Sequence, residues 1–177
     1  ALLSRPGGAR HATDHHASMR DVIASSWQPL DDAQRELMSA VAAFPAPTRL
    51  DALCAVADQA PGTVRDGLDA LEARSLLQTR VDHSGATWIG MLQPVREFVE
   101  EISDPADLRA RRRRLWDWLI EQGRRCAEQG YRGMSRVQAD LPLRMASLTI
   151  AAGEGGDADA AARMVTVVRR HWEIDLR

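Results

Sequence analysis

The chain contains no lysine: all of its 23 basic residues are arginine. That absence excludes a GxxxxGK[ST] phosphate loop, a Schiff-base enzyme and a lysine general base. Cysteine is almost as scarce. Cys54 and Cys126 are far apart, each inside an apolar helical pattern, which predicts two buried thiols in a reducing compartment. No apolar run approaches the roughly 18 residues of a membrane span, and no secretory leader is recognisable, so a cytoplasmic location is expected. Nor does one sign of charge dominate: the formal net charge is -2, which argues against a surface built wholly for nucleic acid. Catalytic sets are missing too. No serine sits in GxSxG, no cysteine has a histidine nearby, and the acidic pairs fall at helix starts, where capping explains them. The expectation is a non-enzyme with no cofactor and no metal.

What is present is the composition of a soluble globular chain, 45% hydrophobic and 27% charged over 177 residues, enough for one medium domain or two small ones. It begins at Ala1, followed by a loop-like Ser4-Arg5-Pro6-Gly7-Gly8, and reads as a segment of a longer protein. From Asp14 the pattern turns helical, with Met19, Val22, Ile23 and Trp27 on one stripe until Pro29. Asp31-Asp32 open a second helix with Leu37, Met38, Val41 and Phe44 inside, stopped by Pro45 and Pro47. Leu50, Leu53, Cys54 and Val56 predict a third. Pro61-Gly62-Thr63 opens a fourth, with Val64, Leu68 and Leu71 inside.

After Ser75 the period falls to two. Leu76 to Val81 reads as a strand, His83-Ser84-Gly85 as a turn and Thr87 to Met91 as the returning strand. Three helices followed by a two-stranded hairpin are the order of a winged helix-turn-helix. A helix from Pro94 to Ile102 packs back, and Ser103-Asp104-Pro105 marks a boundary. The predicted division is a lead-in helix and winged helix over 1–103 and a helical-repeat segment over 104–177. The second part carries a long helix with Leu108, Leu115, Trp116, Leu119 and Ile120. Another runs from about Ser135 to Ala152, and a third follows the Gly153–Asp157 turn. The fold class is therefore mainly α with a small β wing.

Four features bear on chemistry. His11, His15, His16 and Asp14 could share one helix face as a metal cluster, but no HExxH pattern or nearby cysteine supports this, and capping is the expected role. Thr63 to Arg74, the expected reading helix, carries Arg65 and Arg74 against Asp66, Asp69 and Glu72, while the hairpin adds Arg80 and Asp82. That balance repels phosphate and favours packing over DNA reading. Arg109 and Arg111 to Arg114, extended by Arg124, Arg125, Arg132 and Arg136, form a basic region beside an apolar stripe, with Glu97, Glu100 and Glu101 upstream. It reads as a solvated, ion-paired face. Trp27, Trp116 and Trp172 lie on apolar stripes, whereas Trp118 lies off the centre as a candidate partner contact. Arg65, Arg74, Arg80, Arg112, Arg113 and Trp118 are the candidate partner or interdomain contacts.

The run His16 to Trp27 resembles the "RHxSLRxxIxWSY" stretch of bacterial STAND-type regulators, signal-transduction ATPases related to NB-ARC and AAA-like proteins. Leu71 to Leu77 is similar to their "LVDKSLL", and Met91 to Phe98 to their "MLETIREYA". Leu143-Arg144, Gly156-Asp157 and Arg170-His171-Trp172 resemble their "NLRAALxWA…GD…ALWRFW". The four stretches keep the family's order. Pro142 stands where the family has asparagine. Leu92-Gln93 stand where NB-ARC relatives carry the His-Asp of their "MHD", so direct nucleotide contact is not expected. The resemblance implies a winged helix that packs on a nucleotide-binding domain, followed by TPR-like repeats. The expected function is a non-catalytic regulatory segment of a multidomain signalling ATPase. It would relay nucleotide or effector state to other domains, further repeats or a protein effector. The alternative is a DNA-binding winged-helix transcriptional regulator.

Overall fold

Asp31 starts a helix because its carboxylate accepts from the Gln34 backbone N–H at 2.8 Å, while the Gln34 side chain accepts from the Asp31 N–H in return. In the computed structural model, which describes residues 19–153 and 156–175, that helix is α2 (Asp32–Ala42), preceded by α1 over residues 19–27. The chain continues through β1 (Thr48–Arg49), α3 (Leu50–Ala57), α4 (Pro61–Glu72), β2 (Gln78–Val81), β3 (Thr87–Gly90) and α5 (Gln93–Ile102). Then come α6 (Pro105–Glu128), α7 (Tyr131–Ala139), α8 (Leu141–Ala152) and α9 (Ala158–Asp175). The architecture is mainly helical with one small antiparallel sheet of order β1-β3-β2, a winged helix followed by a helical segment.

Three expectations need correction. The two-stranded hairpin forms as expected, between β2 and β3, but a third strand joins it. Thr48-Arg49 pairs with β3 in the register Thr48↔Ile89 and Arg49↔Trp88, a bridge too short for alternation to reveal between Pro47 and the next helix. Leu76 and Leu77 are buried but precede β2. Ser75, at φ 58°, ends α4 so that both leucines plug the core before the strand begins. The helix expected from Ser135 to Ala152 is two helices. Pro142 cannot donate to the carbonyl four residues back, and Asp140, the hinge at φ -86° and ψ 0°, closes α7 and opens α8.

The core is one cluster. Leu37, Met38 and Val41 of α2 and Phe44 just after it meet Leu53 and Val56 of α3, Val64 and Leu71 of α4, and Val99 of α5. Leu115 and Leu119 of α6 extend it toward Ala161, Met164 and Val167 of α9. Ile23 of α1 is buried and Trp27 packs edge-on against Phe98 at 5.9 Å, but Met19 and Val22 are exposed, off this line of contact. Gly123 lets α6 and α9 approach: a Cβ there would lie 2.0 Å from Val167 Cγ1. Arg96 is buried under α2, donating to the carbonyls of Ala42 and Phe44, which lie past the reach of intrahelical bonds. Among the described residues no helix is long and apolar enough to cross a membrane.

Candidate nucleic-acid interface

In a fold of this topology α4 is the helix that would enter a major groove, so its outward side decides what it can read. Val64, Leu68 and Leu71 face the core at helical spacing, with Pro61 at the first helical position. The opposite ridge therefore presents Gly62, Asp66, Asp69, Ala70 and Ala73. It offers two carboxylates and no side-chain donor. Neither aspartate has a partner among the described residues. Arg65 lies on one flank, beside Glu72, and Arg74 follows the helix on the other; both are exposed. Glu72 is held by the wing, accepting from the Thr79 hydroxyl at 2.6 Å.

The wing turn is tied by Asp82. Its carboxylate accepts from the Ser84 hydroxyl at 2.6 Å, the Ser84 and Ala86 backbone N–H groups at 2.8 and 3.0 Å, and Trp88 Nε1 at 2.8 Å. The bonds from Ser84 and Trp88 hold the carboxyl well below its ordinary range. Gly85, at φ 79°, makes the turn possible. The cross-strand register then sets Arg49, Trp88 and Arg80 in a row on one sheet face. The Arg49 guanidinium lies 4.6 Å from the Trp88 ring centre, whereas Arg80 is exposed and unpaired among the described residues.

Residues 30–103 match the family model of the winged helix-turn-helix domain. This part of the chain is a winged helix. Neither the curated proteins nor the solved structures compared with the chain match it.

The candidate contacts fall in two places. Arg65, Arg74 and Arg80 surround the winged helix's reading side, whereas Arg112, Arg113 and Trp118 lie on α6. Arg112 donates to Glu100 at 2.8 Å and Arg113 lies 3.9 Å from Asp157. Arg111 is buried between Asp107 and Glu36, and Arg125 pairs with Glu121. Much of the arginine run thus faces carboxylates of its own chain. Trp118 is half-buried under the Arg136 guanidinium, 6.0 Å from its ring centre. The histidine cluster at 11–16 lies outside the described residues, as do the side chains of Arg132 and Trp172.

A charged junction went unread in the sequence. Arg136 Nε donates to the buried Asp140 at 2.8 Å, and Arg49 Nε lies 3.7 Å from the same carboxylate. An Arg136 to Asp140 spacing of four on a helix was the available signal, but only the tertiary fold adds Arg49 and Asp51. Both cysteines are free thiols, and burial pushes each above its ordinary value, so neither is a thiolate nucleophile at neutral pH.

Proposed function

We propose that this chain is a non-catalytic regulatory segment whose winged helix contacts protein, relaying state between domains of a larger cytoplasmic signalling ATPase. The observation that carries the reading is the outward ridge of α4, where Asp66 and Asp69 occupy the place that a DNA reader fills with arginine, asparagine or glutamine. Phosphate contacts supply most of the affinity of such modules, and two unpaired carboxylates at the reading surface oppose them. The resemblance to STAND-type regulators supplies the ATPase context, with the nucleotide-binding domain and further helical repeats as partners. The helical segment over 104–177, read as the start of a TPR-like array, would receive the effector.

DNA binding is the second reading, favoured by the winged-helix match itself and by the unpaired Arg65, Arg74 and Arg80 around α4 and the wing. Fluorescence anisotropy with random duplex DNA at low salt separates the two, because low salt is the most permissive condition for sequence-independent affinity. The protein-contact reading expects no binding at micromolar chain. Salt-sensitive binding that is lost when Arg65 and Arg80 become alanine would establish the DNA-binding reading instead.

A further inference from the structure

The outer face of the wing and the α7–α8 corner enclose a cleft of about 430 Å³. Ala46, Pro47, Val81 and Trp88 line it from the winged helix, and Pro142 and Leu143 from the helical segment. The walls are largely apolar, and Val81 is exposed there. Trp88 offers only ring surface to the cleft, since its N–H is spent on Asp82 and Arg49 stacks on it. Asp82 is saturated as well: donors from Ser84, Ala86 and Trp88 occupy both of its oxygens. That leaves the Arg80 guanidinium at the cleft as the charged group with unspent hydrogen-bonding capacity and no partner among the described residues.

We propose that this cleft binds a small apolar carboxylic acid, its hydrocarbon or aromatic body against Pro47, Trp88, Pro142 and Leu143 and its carboxylate on Arg80. The size suits a small ligand rather than a folded partner, since such sites run from about 300 to 1,000 Å³ with mostly apolar walls and few polar anchors. A guanidinium fork matches a carboxylate in two parallel hydrogen bonds, which selects that anion over a neutral group of the same shape. The two walls belong to the winged helix and to the helical segment, which share one core. This site does not depend on what α4 itself meets, but it shares Arg80 with the DNA-binding reading, so duplex held by Arg80 would compete with the acid.

The test is a titration of the isotope-labelled full chain, followed by nuclear magnetic resonance at the Trp88 indole N–H, whose signal is assigned by its loss in Trp88→Phe. Phenylbutyrate is expected to give a saturable shift at millimolar probe. The neutral phenylbutyramide, and phenylbutyrate with Arg80→Gln, are expected to bind about tenfold more weakly. Arg80 is exposed, so Arg80→Gln should fold, as an unchanged circular dichroism spectrum would verify. No saturable shift, or equal binding of acid and amide, overturns the proposal. So does a shift produced only by a capped acidic peptide such as Leu-Glu-Leu, which would make the cleft a peptide-docking groove.

Discussion

Arg136 on α7 donates to both carboxylate oxygens of Asp51 on α3, at 2.8 and 3.0 Å, and so ties the helical segment to the winged helix. The same guanidinium neutralises Asp140, whose side chain is only 3% exposed, while Asp51 is about half exposed. The two halves of the bridge therefore differ in worth. Arg136→Ala leaves the buried Asp140 without its hydrogen-bonded partner, with only Arg49 at 3.7 Å to offset its charge, and should cost about 2–4 kcal/mol. Asp51→Ala removes an exposed partner and should cost under about 1 kcal/mol. Urea unfolding of both variants checks the order; equal losses would mean that the exposed half anchors the junction.

The wing should titrate with acid. The native Asp82 carboxyl lies below its ordinary value because Ser84 and Trp88 donate to it, so near that ordinary value the unfolded chain binds more protons than the native one. Its contribution to stability is then complete above about pH 4, the unfolded carboxylate value, and is lost progressively as pH falls below it. Melting temperatures of the parent and of Asp82→Asn, compared between neutral and acid pH, should converge as acidity increases. A constant gap across that range would show that Asp82 does not carry the acid sensitivity.

Gly123 should resist replacement. In an exposed helix, alanine gains about 1 kcal/mol over glycine, but here its Cβ would collide with Val167 across the α6–α9 contact. Overpacking costs about 1–3 kcal/mol, so Gly123→Ala is expected to destabilise. Adding Val167→Ala opens the space, and the double variant should lose less than the sum of the single losses. Strict additivity in thermal or urea denaturation would place the strain elsewhere.

Charge reversal on α4 tests whether the winged-helix geometry itself is competent for DNA. Replacing Asp66 and Asp69 by arginine changes the outward ridge by four charges without touching Val64, Leu68 or Leu71. The double variant is expected to acquire salt-sensitive affinity for random duplex, with a steeper dependence on salt than the parent. If it stays silent at low salt, sterics around α4 rather than charge keep the helix from the groove.

The lesson of Thr48-Arg49 is physical. A two-residue strand has no period to read, and it exists only because β3 supplies its hydrogen bonds. Once formed, it puts Arg49 beside Trp88 and within reach of Asp140, and the third strand and the junction between modules appear together. Met19 and Val22 teach the converse. Both fit an apolar helical stripe, yet α1 meets α5 along Ile23 and Trp27 and leaves the other two exposed.

By itself the sequence determined the helix order, the wing and the character of α4. Local signals settle these: proline stops, the Asp31 capping box, a change of apolar period from 3.6 to two, and the charges written into one helical turn after another. Only the tertiary structure decided which arginines are spent and which are free. It brought Asp51 to Arg136 across 85 positions and Glu36 to Arg111 across 75, while leaving Arg80 open at a cleft built from two modules. An ion pair or a cleft wall depends on distance in space, and helix packing sets that distance, whereas the period along a chain reports only which side of its own element a residue takes.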